Sequence, residues 1–219
     1  MIIEFFGFPG SGKTTICNKF VKKIQKDNKD VIRGTFDHLE VRKRVLFKLF
    51  YSFISFFINP KFFAKNLYFF VCSKANYKTK VTDFINLTYL YARYFTFRNS
   101  NKIVVFDQGL LQAYWSVLTF SSNELLEYDN SILFKYIDKV IVLEIDWEQN
   151  LERLFSREDQ RSRVQRQVSE MEFHYGKFLE VKESLNELKI PYTIYLNSSK
   201  NVKKNVKKIK RKINFSQYD

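Results

Sequence analysis

Residues 7–14 read Gly7-Phe8-Pro9-Gly10-Ser11-Gly12-Lys13-Thr14, which fits the pattern G-x-x-x-x-G-K-[ST] at every fixed position. The six residues before this stretch are apolar and β-prone apart from Glu4, and apolar residues recur at helical spacing from Ile16 to Ile24 behind it. A strand, a glycine loop and a helix in this order form a cradle for phosphate groups. The motif therefore predicts a nucleoside triphosphate as ligand.

Each type of residue in this loop has a distinct predicted task. The glycines let backbone N–H groups turn toward the phosphates, and the N-terminus of the following helix adds its partial positive charge. Lys13 is expected to reach the β- and γ-phosphates, and the Thr14 hydroxyl is expected to ligate Mg²⁺. The residues expected to bind ATP in the loop are Gly7, Pro9, Gly10, Ser11, Gly12, Lys13, Thr14 and Thr15.

The composition favours one globular domain over residues 1–219, with 45% apolar residues to fill its core. Its two cysteines, Cys17 and Cys72, indicate a reducing compartment, and the first strand leaves no room for a signal peptide. We therefore expect a cytoplasmic protein. Two histidines and no cysteine pair at ligand spacing argue against a zinc site, so Mg²⁺ is the expected metal.

Apolar runs typical of buried strands alternate with helical patterns along the chain. Such runs follow the first helix at residues 31–36, 102–106, 139–145 and 192–196. This alternation predicts an α/β fold with three layers: a central, mostly parallel five-stranded sheet with helices on both faces. In such sheets ligands bind beyond the carboxyl ends of the strands, where the glycine loop, Asp37 and Asp107 all fall. Asp146 and Gln149 are spaced as a capping box for the helix after the fourth strand.

The net charge of +14 is unevenly distributed. Residues 41–100 contain eleven Lys or Arg residues and one acid, Asp83, together with 18 of the 39 aromatic residues. We interpret this segment as an aromatic-rich helical insertion. A second basic run, residues 200–212, has apolar residues spaced as in an amphipathic helix with a lysine face.

Residues 45–58 are nearly as apolar as a membrane segment, but they are too short to span a hydrocarbon core of ~30 Å and are interrupted by Lys48. Three interpretations remain open. The segment is buried against the sheet or in a homodimer, it lies on an anionic membrane as a peripheral contact, or it binds nucleic acid through basic and aromatic side chains. Burial is the interpretation that we favour from sequence, and nucleic acid is the least favoured.

Phosphoryl transfer needs positioning, Mg²⁺ and cations around the transferring group, and the chain has a candidate for each. Asp107 ends an apolar strand in the position of a Walker B carboxylate, although it could instead cap a helix. Asp37 ends the second strand and is a candidate base for the hydroxyl of the acceptor. Five arginines in residues 153–168 predict a mobile lid over ATP, or alternatively a solvated, salt-bridged helix face. These are Arg153, Arg157, Arg161, Arg163 and Arg166, of which Arg157 and Arg161 are the catalytic candidates and Arg153 and Arg157 the ATP-binding ones.

The order of elements along the chain resembles that of the P-loop nucleoside and nucleotide kinases. These elements are the glycine loop, the strand ending at Asp107, the strand of residues 139–145, the arginine cluster, and the final strand and helix. The thymidylate kinase-like branch is the most similar. In that family the strand that ends at the Walker B position carries Asp-Arg, which helps to bind acceptor and metal, whereas this chain has Asp107-Gln108. The resemblance therefore implies a divergent acceptor site, with Gln108, Asp37 and Arg93 as candidate acceptor-binding residues. It also implies that the helical segment of residues 41–100 lies on the acceptor side of the site.

We expect an ATP- and Mg²⁺-dependent kinase acting on a small-molecule acceptor such as a nucleotide, nucleoside or sugar. The alternative is a P-loop NTPase that binds nucleic acid or an anionic membrane through its basic aromatic face. Hydrolytic motors usually carry an acid after the Walker B aspartate, and Gln108 and Gly109 stand there instead.

Overall fold

The strands and helices are taken from a computed structural model that describes residues 1–27, 30–36, 39–120, 135–156, 168–187, 193–197 and 201–213, the side chains of residues 186 and 187 excepted. The strands are β1 (Ile2–Gly7), β2 (Val31–Arg33), β3 (Ile103–Phe106), β4 (Lys139–Glu144) and β5 (Thr193–Asn197). The helices are α1 (Lys13–Lys26), α2 (Val41–Ile58), α3 (Pro60–Cys72), α4 (Tyr77–Phe97), α5 (Leu110–Phe120), α6 (Trp147–Phe155), α7 (Met171–Glu187) and α8 (Val202–Lys212). A short 3₁₀ turn, Val168–Glu170, precedes α7.

The five strands form one parallel sheet in the order β2-β3-β1-β4-β5, which confirms the predicted fold class. Strand β2 is shorter than the predicted run of residues 31–36, because the chain turns away after Arg33. Gly34 still donates its N–H to the carbonyl of Val105 at 2.9 Å. A Cβ at Gly34 would lie 2.2 Å from the ring of Phe106, so this close passage over β3 requires glycine.

Alternating residues of the strands build two cores on opposite faces of the sheet, because side chains along a strand point to opposite sides. Ile3 and Phe5 of β1 belong to the core beneath α1 and α8. Ile2 and Phe6 belong to the core beneath α4, α5 and α7. The predicted three-layer arrangement is therefore correct.

The lysine-rich helix α8 is amphipathic, as its spacing predicts. Val206, Ile209 and Ile213 are buried in the core shared with α1, and the lysines lie on the outer side. Lys210 of α8 forms an ion pair of 2.7 Å with Asp27, just after α1. The positive charge of this helix therefore lies on the sheet face opposite α4.

Residues 41–97 form three helices, α2, α3 and α4, which agrees with the predicted helical character of the segment. Helices α3 and α4 begin at Asn59 and Asn76, whose side chains accept hydrogen bonds from the N–H groups of Phe62 and Thr79. Only α4 is buried deeply, through residues such as Leu87, Leu90 and Tyr94. Helices α2 and α3 cover α4 from outside and contact it along its length.

The sequence predicts that residues 45–58 are buried against the sheet or in a homodimer. Burial against the sheet is wrong, whereas burial in a homodimer stays a prediction. The buried residues of α2 are Ser52 and Ser55, whereas Phe53 and Phe57 are 62% and 66% exposed. Among the described residues, no helix is both long enough and apolar enough to cross a membrane. The apolar stripe of α2 is therefore a surface feature of this chain.

Candidate functional site

The glycine loop between β1 and α1 has the backbone geometry that its sequence predicts. Gly10 and Gly12 have φ angles of 94° and 81°, in the left-handed region where glycine carries no steric penalty. The N–H of Ser11 bonds to the carbonyl of Phe8 at 3.1 Å, and Gly12 is the N-cap residue of α1. The amides at the start of α1 are thereby directed at the space beyond β1, as an anion site requires.

Lys13 is buried beside this loop, and its ammonium contacts the loop backbone. Nζ donates to the carbonyl oxygens of Gly7 and Phe8, the latter at 3.2 Å. Thr14 and Thr15 are exposed in the first turn of α1. The loop therefore holds a cation at its centre and hydroxyl groups at its rim.

Two buried polar side chains around the loop have no hydrogen-bond partner among the described residues. They are the hydroxyl of Ser11 and the amide of Asn150 on α6, and both residues are fully buried. A Cβ at Gly10 would lie 2.1 Å from Oδ1 of Asn150, so this amide lies directly against the loop. Because buried polar groups are normally paired, these groups mark the loop as a place where a polar ligand belongs.

The side chain of Phe8 anchors the loop in the core, which sequence analysis did not foresee. It is 1% exposed, and its ring contacts Trp115 of α5, Trp147 of α6, and Tyr175 and Phe178 of α7. Aromatic contacts of this kind add stability beyond the area that they bury. Phe8 thus fixes the loop relative to three helices.

Asp107 lies at the carboxyl end of β3, next to the loop strand β1, as predicted. Its carboxylate is 6% exposed and lies 3.8 Å from the guanidinium of Arg33, which ends the neighbouring strand β2. Sequence analysis missed Arg33, because nothing in the sequence shows that β2 and β3 are neighbours. A carboxylate and a guanidinium therefore lie together at the edge where the loop ends.

Glu4 and Tyr94 cap the N-terminus of α5. Oε1 of Glu4 accepts hydrogen bonds from the N–H groups of Leu111 at 2.8 Å and Gln112 at 3.4 Å. Tyr94 of α4 donates to Oε2 of Glu4 at 2.7 Å and accepts from the N–H of Leu110. Glu4 and Tyr94 therefore hold the first amides of α5, and the metal-binding role of Asp107 stays a prediction.

Burial changes the acidity of the Glu4–Tyr94 pair. Desolvation raises the pKa of Glu4 to about 7, although hydrogen bonds from Tyr94 and from the backbone oppose that shift. Desolvation and the neighbouring Glu4 carboxylate also raise the pKa of Tyr94. Gly109 is part of the same arrangement, because a Cβ there would lie 2.1 Å from the Tyr94 hydroxyl.

Arg93, a predicted acceptor-binding residue, contacts the segment after β2. Its guanidinium donates twice to the carbonyl of Gly34 and once to the hydroxyl of Tyr51, each at 3.2 Å. It also lies 4.4 Å from the ring centre of Phe36 and 4.3 Å from that of Phe97. In this arrangement Arg93 joins α4 to α2 and to the chain beyond β2.

Asp146 is the N-cap residue of α6, but its side chain makes no capping hydrogen bond, so the predicted capping box does not form. It lines a cavity of about 270 Å³ beyond the carboxyl ends of β4 and β5, together with Phe8, Tyr175 and Asn197. An ion pair of 2.5 Å between Glu144 and Lys182 closes one side of this cavity.

Of the remaining predicted residues, some are described by the structure and others are not. Gln108 is exposed beside Asp107, and Arg153 is half-buried in the last turn of α6. Asp37 lies outside the described residues, as do Arg157, Arg161 and the rest of the predicted lid up to residue 167. The described residues of the predicted site are thus the loop with Lys13 and Thr14, together with Asp107 and Gln108, and Arg33 is added by its contact with Asp107.

The described residues combine a glycine loop, a buried lysine and a strand-end aspartate with a parallel sheet in the order β2-β3-β1-β4-β5, which is a P-loop α/β fold. Solved structures share this fold. Deoxyadenosine kinase from M. mycoides with bound dATP is 18% identical, and the alignment covers 97% of this chain and 98% of that one with a TM-score of 0.54. The same kinase with bound dCTP aligns with a TM-score of 0.52 at 18% identity, over 97% and 98% of the two chains.

The YorR protein of Bacillus subtilis, in complex with phosphorylated GDP, is 12% identical and aligns over 100% of this chain and 99% of that one with a TM-score of 0.56. No protein-family model matches the sequence, and no curated protein matches it. At these identities the likeness establishes the fold, and the thymidylate kinase-like specifics stay a prediction.

Proposed function

We propose that this protein is an ATP-dependent phosphotransferase that phosphorylates a small-molecule acceptor. The observation that carries the proposal is the position of the glycine loop, with the buried Lys13, and of Asp107 directly after two adjacent parallel strands. Two buried polar side chains at this loop have no partner among the described residues. The fold adds support, because a deoxyadenosine kinase is among the similar solved structures.

The residues of the site fit Mg·ATP. The left-handed glycines and the buried Ser11 hydroxyl suit a polyphosphate, and Lys13 supplies the positive charge that its terminal groups need. Thr14 and Asp107 are the oxygen donors that would hold Mg²⁺, which neutralises charge on the phosphates when bound. The protein's own part is to orient the two substrates and to exclude water from the space between them.

The acceptor is expected beyond β2 and β3, where the chain offers Arg33 and Gln108. The family to which the sequence is similar carries an arginine directly after the strand-end aspartate, and here that position is Gln108. We infer that Arg33 supplies the missing guanidinium from the adjacent strand, since it lies 3.8 Å from Asp107. Arg93 would then position the segment after β2, which holds the predicted base Asp37.

Nucleosides and nucleotides are the first acceptors to test, because the named ligands of the similar structures are nucleotides. The competing hypothesis is an NTPase that binds a polymer or a membrane without phosphorylating an acceptor. The two differ in whether ADP release depends on a small acceptor.

The decisive experiment measures ADP release from Mg·ATP by the purified chain with a panel of deoxynucleosides, ribonucleosides, their monophosphates and sugars. We expect at least one acceptor to raise ADP release well above the rate with ATP alone. Lys13→Ala should lose this activity and most ATP affinity by calorimetry, whereas Lys19→Ala, on the exposed side of α1, should not. Equal ATP affinity in Lys13→Ala and in the wild type would refute the ATP site.

Asp37 has its own test. If it accepts the proton of the acceptor hydroxyl, Asp37→Asn should remove the limb of the pH–rate profile that reports its ionisation. A profile unchanged in shape would remove Asp37 from the mechanism.

A further inference from the structure

Helix α2 exposes a stripe of large apolar residues, and its inward side mixes the buried Ser52 and Ser55 with Tyr51 and Ile58, which pack on the core. Its outward stripe consists of large apolar residues, among which Leu46 is 66%, Phe53 62% and Phe57 66% exposed. The full stripe is Val45, Leu46, Leu49, Phe50, Phe53, Phe56 and Phe57, whose spacing places them on one side of an α-helix. In a helix that covers a protein core with its most apolar side, these residues would be buried.

Specific contacts hold α2 in this orientation. The hydroxyls of Ser52 and Thr88 of α4 share a hydrogen bond of 2.6 Å, and Lys48 donates to Oδ1 of Asn86 at 2.9 Å. The phenol of Tyr51 accepts from Arg93 at 3.2 Å. Rotating α2 to bury its stripe would break all three contacts, so the exposed apolar stripe belongs to the fold.

The stripe continues onto α3 as one surface. The rings of Phe53 and Phe56 contact Phe57, and Phe56 also contacts Phe63 of α3. Leu67, Tyr68 and Val71 of α3 are exposed as well. We call this surface, formed by the stripe of α2 and these residues of α3, the aromatic face. A chain that acts alone in water rarely exposes so many large apolar side chains together.

Positive charge surrounds the aromatic face. Arg42, Lys61, Lys74 and Lys78 are exposed along α2, α3 and the start of α4. The sequence has no acidic residue from position 41 to 82, and Asp83 is buried. The occupant of this surface must therefore be apolar at its centre and anionic at its rim.

We propose that the aromatic face docks on an anionic lipid bilayer, with α2 and α3 lying in the plane of the interface. Aromatic and aliphatic side chains would enter the boundary between headgroups and acyl chains, while the surrounding cations contact anionic headgroups. A second copy of this chain fits less well, because it would bring two strongly basic surfaces together. Docking would bring the sheet face that α4 covers close to the membrane. The acceptor site of the proposed function would lie on that side.

The test uses co-sedimentation with phosphatidylcholine vesicles that contain or lack phosphatidylserine, at about 0.15 M salt, where the Debye length is about 8 Å. We expect binding to the anionic vesicles, weakening as salt rises, and little binding to the neutral ones. Phe53→Gln/Phe57→Gln should abolish vesicle binding without lowering the melting temperature, since both side chains are exposed.

Charge is tested with matched double substitutions. Arg42→Gln/Lys61→Gln removes two charges at the aromatic face, and Lys203→Gln/Lys204→Gln removes two exposed charges on α8, on the opposite face of the sheet. The first pair should weaken partitioning about 30-fold and the second far less, because surface charges act within a Debye length of the lipid. Equal effects of the two pairs would overturn docking through this face.

Insertion can be followed at the native cysteines. Cys72, at the end of α3, is exposed and Cys17 is buried, so a polarity-sensitive thiol dye should label Cys72 in the folded protein. Its emission should shift to the blue with anionic vesicles and stay unchanged with single-stranded DNA. Three results would overturn the proposal. They are no vesicle binding at this salt, a dimer in sedimentation that Phe53→Gln/Phe57→Gln dissociates, or a larger blue shift of the Cys72 dye with DNA than with anionic vesicles.

Discussion

Tyr94 of α4 donates a 2.7 Å hydrogen bond to Glu4 of the central strand β1, 90 residues earlier in the chain. The pair lies at the N-terminus of α5, the helix that follows Asp107, and both side chains are buried. Through this contact one carboxylate joins the sheet, α4 and α5 directly behind the candidate site. The ionisation of Glu4 is therefore coupled to the packing of these three elements.

The stability of the protein should depend on the ionisation of Glu4. Because burial raises its pKa from 4.5 to about 7, the folded state binds this proton more tightly than the unfolded state does. The contribution is fully present below pH 4.5 and is lost as pH rises toward 7. Relative to Glu4→Gln, the wild type should lose about 3 kcal/mol of unfolding free energy across that window, as measured by urea denaturation. Parallel pH profiles for the two proteins would contradict this assignment.

Gly109 and Gly176 offer a matched pair of alanine substitutions. Gly109→Ala places a Cβ 2.1 Å from the Tyr94 hydroxyl and 2.4 Å from Cδ of Glu4, so we expect a loss of about 1–3 kcal/mol or more. A Cβ at Gly176, within α7, meets nothing within 4 Å, and Gly176→Ala should stabilise the protein by about 0.5–1 kcal/mol. Chemical denaturation measures the free energy of unfolding of both variants. If Gly109→Ala is as stable as Gly176→Ala, the Glu4–Tyr94 arrangement tolerates displacement.

Asp107→Asn should remove Mg²⁺-dependent activity while leaving the protein folded. Glu4 and Tyr94 cap the amides of α5, and asparagine keeps the size of the Asp107 side chain, so the variant should still fold. Turnover should fall about 10²-fold or more, as when one group that stabilises developing charge is lost. Unfolding of Asp107→Asn would instead make Asp107 a structural residue.

Substitutions of Arg33 should separate acceptor binding from ATP binding. With Arg33→Gln we expect a raised KM for the acceptor and a lower kcat, with the Kd for ATP unchanged, because Arg33 lies on the β2 side of Asp107 and away from the loop. Arg33→Lys should restore only part of the activity, since an ammonium lacks the planar fork of a guanidinium. An unchanged acceptor KM in both variants would exclude Arg33 from the acceptor site.

The lid hypothesis for residues 153–168 is tested by turnover. Arg157→Ala and Arg161→Ala should each lower kcat far more than they weaken ATP binding, because these cations would meet charge that develops during transfer. Arg211→Ala, on the exposed side of α8, is the control for the loss of one positive charge. Wild-type turnover in both lid variants would favour the solvated, salt-bridged alternative.

The sequence by itself determined the parallel α/β architecture and the glycine loop, because both are encoded by local patterns. The loop needs glycine at positions of positive φ, and each buried strand is a short apolar run, so Gly10, Gly12 and the strand ending at Asp107 could be located without coordinates. The amphipathic spacing of α8 was equally legible, since one side of the helix is apolar and the other is lysine.

Only the tertiary structure decided which distant residues meet. Strand order brings Arg33 beside Asp107, and the packing of α4 on the sheet brings Tyr94 to Glu4, a residue that stands as the one acid in an apolar strand. The orientation of α2 was hidden for the same reason. Composition shows how apolar a helix is, but the hydrogen bonds of Ser52 and Lys48 to α4 determine which side faces outward. Pairings of this kind depend on chain path, which local patterns do not specify.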